Sequence, residues 1–321
     1  MQPRLVFVHG IGGPRQPATE LDAWLRALGA GASLSGHSRH VPDLVGGRVA
    51  DSRFAYYGDL FGLGQAQSAG GALEEHEAVF VRELLLEAID ERRARATRDE
   101  ELRMLHHAQA QLTPHGSAQG LGSVARQVLG AANSLLSLPG VRTFGGWAGA
   151  SLMVGQLRQV ARYLARAEPD DSGTTLDSRI RRRVAGQLGP AGPTIVVAHS
   201  LGTVVALEAL QSYEGSVPLL VTLGSPMGLR GAVRDRMRPH PLRVPESVEV
   251  WLNFWDRDDL VVGLPRLEKA VRPNARSVLP DTRRIDSDGA WVHPAIQYLG
   301  QPGVAGPVLE ALTANRAAPR T

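Results

Sequence analysis

The sequence contains no cysteine, its single lysine is Lys269, and aromatic residues make up 5% of its 321 residues. Without cysteine the chain can form neither a disulfide framework nor a metal site with thiolate ligands. Within residues 117–160, which are poor in charge, the uncharged stretches are shorter than the roughly 18 residues that a transmembrane helix needs. A phosphate-binding loop and a glycine-rich dinucleotide fingerprint are also missing. We therefore expect neither a disulfide-rich protein nor one with a nucleotide motif, and no transmembrane helix in residues 117–160.

The remaining composition is that of a globular protein, with 43% hydrophobic and 21% charged residues, which allows a large buried core. The chain enters a four-residue apolar stretch directly after Met-Gln-Pro-Arg, which is too short for a secretory signal. We therefore expect a cytoplasmic protein. The densest basic run, residues 179–183, has no interleaved aromatic residues and belongs to no nucleic-acid motif. We expect a solvated helix face there and no nucleic-acid partner.

Short apolar segments alternate with helical patterns along most of the chain. Strands are predicted at residues 5–8, 49–57, 194–198, 218–223 and 248–255. Helical patterns follow the first and third of these strands, the third at residues 204–210. The alternation predicts an α/β fold with a mostly parallel central sheet and helices on both faces. Helices on both faces explain why the strands are apolar throughout.

Residues 61–167 interrupt this alternation with a charged amphipathic part and then a part rich in Gly, Ala and Leu. The organisation predicted is a core of residues 1–60 and 168–316, a helical insertion between them, and a flexible tail at 317–321. Ligands of parallel α/β sheets bind at the carboxyl edge of the sheet, so we expect the insertion to lie over that edge as a cap or mobile lid. The alternative is a pair of core helices without a role in the site.

The sharpest chemical signal is Ala198-His199-Ser200-Leu201-Gly202, with an apolar strand before it and a helix after it. Small residues on both sides of the serine fit a tight strand-to-helix turn that lifts its hydroxyl above the sheet. Ala198 departs from the G-x-S-x-G pattern, but a methyl group is still small. The N-terminus of the following helix favours negative charge. Ser200 is therefore the predicted nucleophile, and a structural serine that caps the helix is the alternative.

At this turn the sequence resembles the α/β-hydrolase family, and within it the lipase- and esterase-like serine hydrolases. Residues 7–13, Phe-Val-His-Gly-Ile-Gly-Gly, are similar to the family's oxyanion loop. The resemblance implies that the backbone N–H of Leu201 donates one hydrogen bond to the oxyanion. The second donor should come from the loop, with Ile11 as first choice and Gly12 next, and His9 would support this loop. The resemblance covers the sheet-forming parts of the chain and not the insertion.

The family order places an acid and then a histidine after the nucleophile. His293 precedes the last helix, where the family carries its base, whereas His240 lies in a stretch rich in proline and arginine. His293 is therefore the predicted base. Three aspartates follow a strand, and the register of the lipase-like members selects Asp259 as the acid, with Asp256 as second choice and Asp258 as third. The two that are not the acid would be turn residues.

The other candidate residues are weaker. His106 and His107 lie on a charged helix without carboxylates at ligand spacing, so no metal site is expected. Ser225 lies in a Gly-Ser-Pro turn and is expected to be structural rather than a second nucleophile.

The resemblance implies hydrolysis of a carboxylic ester through an acyl-enzyme, without a cofactor. The apolar insertion favours a small-molecule or lipophilic ester or thioester as substrate. A contact with a membrane surface is not indicated, and the sequence does not give the oligomeric state. Two alternatives stay open: an acyltransferase that uses the same triad, and a non-catalytic protein on a hydrolase scaffold whose insertion binds a partner or a membrane surface.

Overall fold

The computed structural model describes residues 2–12, 15–62, 73–113, 123–138, 149–190, 192–263, 266–286 and 293–316. Strands within these ranges are β1 Arg4–Val8, β2 Asp51–Ala55, β3 Thr194–His199, β4 Leu219–Leu223, β5 Trp251–Asp256 and β6 Pro280–Ile285. They form one six-stranded sheet in the order β2-β1-β3-β4-β5-β6. Every neighbouring pair is parallel. The prediction of a parallel central sheet is therefore confirmed.

Helices cover both faces of the sheet. They are α1 Pro17–Leu34, α2 Val41–Val45, α3 Glu75–Arg93, α4 Asp99–Leu112, α5 Ser123–Leu135, α6 Ala150–Leu164, α7 Leu176–Leu188, α8 Leu201–Leu210, α9 Ala295–Leu299 and α10 Pro302–Arg316. Helices α1, α2, α9 and α10 share an apolar core with one face, and α3 to α8 share a second core with the other. The expectation of an α/β fold with helices on both faces is confirmed. None of the described helices is long and apolar enough to cross a bilayer.

The apolar strands are those in the middle of the sheet. In β3 and β4 every residue is buried, because a helical layer covers each face. Successive residues alternate between the two cores, with Val196 on one side and Ile195 and Val197 on the other. The sequence does not predict strand β6, because this strand lies at the edge of the sheet and its residues Asp281-Thr-Arg-Arg284 form no apolar run.

Two predicted strands are shorter in the structure. Strand β2 ends at Ala55, and the backbone N–H of Tyr57 leaves the ladder to donate to Nε2 of His9 at 3.1 Å. Strand β5 begins only at Trp251, and Val248 forms an isolated bridge before it. Helix α8 is longer than predicted, because it begins at Leu201, directly after the candidate nucleophile.

The described part of the insertion consists of helices α3 to α6, between β2 and α7. These helices and the turn after α3 contact the loops that follow the carboxyl ends of β1 and β5. The contacts are made by Gln159 of α6, by Arg92 of α3 and by Arg95, which lies two residues after α3. Residues 63–72, 114–122 and 139–148 of the insertion lie outside the described residues. So does the predicted flexible tail at 317–321.

Helix α6 is tied to α8 through the buried carboxylate of Glu208. This carboxylate accepts hydrogen bonds from the hydroxyl of Tyr163 (2.6 Å), from Arg166 (2.8 Å) and from the backbone N–H of Arg238 (2.9 Å). Arg181 of α7 lies 3.3 Å away. Burial and the neighbouring charge of Glu208 raise the pKa of Tyr163 well above its usual range, so the phenol stays a donor.

We predict that Glu208→Gln lowers the free energy of unfolding by about 2 kcal/mol, because it leaves Asp177 as the one carboxylate that pairs with both Arg166 and Arg181 in this cluster. Urea unfolding followed by circular dichroism measures this loss. Glu214→Gln, at an exposed position soon after the same helix, is the matched control and should change stability by less than about 0.5 kcal/mol. A Glu208→Gln variant as stable as this control would contradict the prediction.

Candidate active site

Ser200 occupies the sharp turn between β3 and α8. Its backbone has φ 53° and ψ −131°, a left-handed conformation that costs a non-glycine residue about 1–3 kcal/mol. The Ser200 N–H donates to the carbonyl of Leu223 at 3.0 Å, and its own carbonyl accepts from the N–H of Thr203 at 2.9 Å. These bonds hold the serine at the N-terminus of α8, above the carboxyl end of β3.

Two glycines allow the chain to pass very close to this serine. A Cβ atom on Gly202 would lie 2.2 Å from the carbonyl oxygen of His9 and 2.5 Å from that of Val8. A Cβ atom on Gly10 would lie 2.5 Å from Cβ of Ser200. Neither position can hold a side chain, so the loop after β1 lies directly against the serine.

The structure brings the predicted nucleophile, base and acid together. Nε2 of His293 lies 3.2 Å from Oγ of Ser200, and Nδ1 of His293 lies 2.8 Å from Oδ2 of Asp259. Ser200 and His293 are each 4% exposed, and Asp259 is fully buried. A base in contact with both a hydroxyl and an orienting carboxylate is the arrangement that activates a serine. Residues 287–292, which precede the histidine, lie outside the described residues.

The three aspartates after β5 have different partners. Asp259 contacts His293 and also accepts from the N–H of Val261 at 3.1 Å. Asp256 accepts from the N–H of Asp258 at 2.8 Å, which is a turn contact. Asp258 pairs with Arg92 at 2.7 Å. Asp259 is thus the aspartate with a hydrogen bond to the histidine ring.

Tyr298 of α9 holds the candidate acid from a second side. Its hydroxyl donates to Oδ2 of Asp259 at 2.8 Å and accepts from the N–H of Asp256 at 3.2 Å. Burial alone would raise the pKa of Asp259, but the neighbouring His293 and the hydrogen bonds from His293 and Tyr298 lower it below its usual value. The acid is therefore ionised, as the orienting member of such a triad must be.

His199 positions the histidine loop. Its Nε2 donates to the backbone carbonyl of His293 at 2.6 Å, and the two rings lie 4.7 Å apart. Burial, and then the charge of His293, lower the pKa of His199 well below its usual value, so this ring is neutral. The sequence places His199 beside Ser200 but gives no signal of its bond to a residue 94 positions away.

The backbone of the loop after β1 selects between the two candidate oxyanion donors. The N–H of Gly12 donates to Oε1 of Gln159 at 3.1 Å and is therefore engaged. Within the described ranges, the N–H groups of Ile11 and Leu201 have no hydrogen-bond partner. Leu201 is the first residue of α8, where the helix itself leaves the N–H unpaired. Of the three predicted donors Ile11, Gly12 and Leu201, the N–H groups of Ile11 and Leu201 are thus the ones left unpaired among the described residues.

His9 fixes the orientation of the Ile11 N–H. Its Nδ1 donates to the carbonyl of Gly10 at 2.6 Å, and its Nε2 accepts from the N–H of Tyr57 at 3.1 Å. The carbonyl of Gly10 and the N–H of Ile11 belong to one trans peptide and point in opposite directions. Holding the carbonyl therefore holds the N–H. Burial, and then the charge of Arg15, lower the pKa of His9 to about 3, which keeps the ring in the neutral form that these two bonds need.

A cavity of about 310 Å³ opens onto Ser200. It is lined by His9, Gly10, Ile11, Arg15, Glu20, Ala23, Trp24, Gln156, His199, Ser200, His293, Pro294, Ala295 and Ile296. Most of this wall comes from the loop after β1, from α1 and from the start of α9. Of the described residues that line the cavity, only Gln156 belongs to the insertion. The lining combines apolar side chains with the Arg15–Glu20 ion pair, which spans 2.8 Å.

The remaining sequence candidates lie away from this cavity. His240 is exposed, and His106 and His107 contact Arg93 and Gln111 on the helix surface. Ser225 accepts from the N–H of Met227 at 3.3 Å as the cap of a short turn, in the structural role expected. Among the residues described, no three His, Asp or Glu side chains cluster as a metal site.

Neutral His9 makes stability depend on pH. The unfolded chain protonates His9 as the pH falls below about 6.5, whereas the folded protein protonates it only near pH 3. With respect to this ring, the free energy of unfolding is therefore highest above pH 6.5 and falls by about 1.4 kcal/mol per pH unit as the pH decreases toward 3.

His9→Gln should make the pH dependence of the unfolding free energy shallower by about 1.4 kcal/mol per pH unit in urea titrations. The exposed His240→Gln control should keep the wild-type slope, and an equal slope in His9→Gln would contradict the prediction.

The chain matches no protein-family model and no curated protein sequence.

Proposed function

We propose that this protein is a serine hydrolase of the α/β-hydrolase fold that cleaves a carboxylic ester. The observation that carries the proposal is the continuous hydrogen-bonded chain from Ser200 through His293 to Asp259, buried at the carboxyl edge of a parallel sheet. The order of nucleophile, acid and histidine along the sequence also agrees with that family. The same machinery acts on thioesters and amides, and an ester is less demanding than an amide because an alcohol leaves more readily than an amine.

The reaction proceeds through an acyl-enzyme. Nε2 of His293 accepts the proton of Ser200 as Oγ attacks the ester carbonyl, and Asp259 holds Nδ1–H and stabilises the imidazolium. The N–H groups of Leu201 and Ile11 bind the oxyanion of the tetrahedral intermediate. The intermediate then expels the alcohol, which takes the proton from His293. Water, deprotonated by the same histidine, attacks the acyl-serine and releases the acid.

The cavity supports a small or medium substrate. A volume of about 310 Å³ is at the lower end of ligand pockets in proteins. Trp24, Ala295 and Ile296 form an apolar wall for an acyl or alkyl group. Arg15 and Gln156 line the same cavity with polar side chains. These contacts favour a compact ester with an apolar group over a long-chain lipid.

Labelling by a fluorophosphonate probe tests the nucleophile and its base. Wild type should be labelled, and Ser200→Ala and His293→Ala should lose labelling, because the probe reacts only with an activated serine. Ser225→Ala and His240→Ala are the matched controls and should be labelled as wild type. Well-folded wild type that is not labelled would contradict the proposal and favour an interaction protein on this scaffold.

A second prediction separates the two leading carboxylates. Asp259→Asn should lower kcat for an activated ester by about 10⁴-fold, since the amide no longer holds the histidine in the required tautomer. Asp256→Asn should change kcat by less than about 5-fold, because an asparagine oxygen still accepts the N–H of Asp258. Steady-state kinetics on both variants measures the difference. Equal losses in the two variants would count against Asp259 as the acid.

Product analysis in the presence of an added alcohol distinguishes hydrolysis from acyl transfer. The free acid should be the main product whether or not the alcohol is present. A transesterified product that dominates at millimolar alcohol would replace hydrolysis by acyl transfer while leaving the triad unchanged.

A further inference from the structure

We propose that Gln159 of the insertion is a positioning residue that holds the oxyanion loop in its binding orientation. The inference rests on the proposed function for its catalytic consequence but not for its structural basis. Under this inference, helix α6 supports the geometry of the site through Gln159.

The primary amide of Gln159 grips the backbone of Gly12 at two points. Oε1 accepts from the N–H of Gly12 at 3.1 Å, and Nε2 donates to the carbonyl of the same residue at 2.9 Å. This pairing copies the exchange of bonds between residues in a sheet, with a side-chain amide in place of a strand. The two residues are 147 positions apart, so the bond connects the insertion directly to the core.

The grip fixes the peptide next to the candidate oxyanion donor. The peptide before Ile11 is held at the carbonyl of Gly10 by His9. The peptide after Ile11 is held at the N–H of Gly12 by Gln159, and Arg15 lies 3.3 Å from its carbonyl. Each peptide is planar, so holding both planes sets the two dihedral angles of Ile11. The direction of the Ile11 N–H therefore depends on Gln159 as well as on His9.

Helix α6 is firmly enough anchored to act as this support. Arg158, beside Gln159, pairs with Glu77 of α3 at 2.5 Å. One turn further along, Arg162 donates to the carbonyl of Phe61 at 2.9 Å, and Tyr163 donates to Glu208 of α8. The helix is thus bound on both sides of Gln159, to the insertion and to the nucleophile's own helix.

Gln159→Leu removes both bonds at nearly constant volume. We expect kcat for an activated ester to fall by about 10- to 100-fold with KM changed by less than about 3-fold, because the lost bonds act on the transition state. The exchange of the Gly12 amide with deuterium should become about 10-fold faster or more. Gln211→Leu is the matched control, since its amide also donates to a backbone carbonyl, that of Arg243, at the opposite end of α8. It should leave both measurements at the wild-type value.

Gln159→Glu gives a readout that a purely structural residue would not. An ionised carboxylate faces the carbonyl of Gly12 and repels it, whereas the protonated acid donates to that carbonyl and accepts from the N–H as the amide does. The ratio of Gly12 exchange rates, Gln159→Glu over wild type, should therefore fall toward one between pH 7 and pH 4, the range over which a glutamate side chain becomes protonated. The ratio of kcat values should recover over the same range.

Three outcomes decide between the inference and the proposed function. Faster Gly12 exchange with a selective loss of kcat supports the inference. Unchanged Gly12 exchange in Gln159→Leu overturns it, whatever the activity. If wild type shows neither labelling nor hydrolysis, the proposed function fails. The Gly12 exchange rate in Gln159→Leu then decides by itself whether Gln159 holds the loop: a faster rate supports this contact and an unchanged rate overturns it.

Discussion

The backbone contact between the end of β1 and the first turn of α8 is the constraint on which the site depends. Gly202 packs against the carbonyls of Val8 and His9 with no room for a Cβ atom. Because the two backbones meet there, the loop after β1 must cross above Ser200, and Gly10 must be a glycine too. Ser200 itself has a positive φ in this crowded turn. Backbone contacts of this kind hold the serine at a fixed distance from His293, which is the preorganisation that the proposed catalysis would require.

Burial then assigns the charge states around that serine. His9 and His199 are neutral because burial of their rings, together with the nearby charges of Arg15 and His293, lowers their pKa values more than the bonds they donate to backbone carbonyls raise them. Asp259 is ionised because His293 and Tyr298 both donate to it in the same desolvated environment. Two neutral histidines position backbone groups, and the third, His293, has a carboxylate to stabilise its cation. Electrostatic interactions are stronger in such a dry site than in water, so small displacements of these donors are costly.

Much of this arrangement could be predicted from the sequence, and the rest depends on contacts that no local pattern records. Buried strands such as β3 are evident in the sequence as apolar runs, whereas the charged sequence of the edge strand β6 does not predict a strand. The turn at Ser200 carries a local motif. Gln159 and Tyr298 carry none, since their partners lie 147 and 39 positions away along the chain. Supporting residues of this kind are recognisable only after the fold has brought them together.

The described helices of the insertion are bonded to the loops on both sides of the candidate site. Arg92 of α3 contacts Glu101 and Asp258, and Arg95 donates to the carbonyls of Val262 and Gly263 beside the acid. The same insertion grips the oxyanion loop from α6. If its described helices opened together, buried ion pairs such as Arg92–Glu101 would separate, at a cost of several kcal/mol each. That cost favours helices that stay docked on the sheet. The described wall of the cavity at Ser200 includes Trp24 of α1 and Ile296 of α9, which are not part of the insertion.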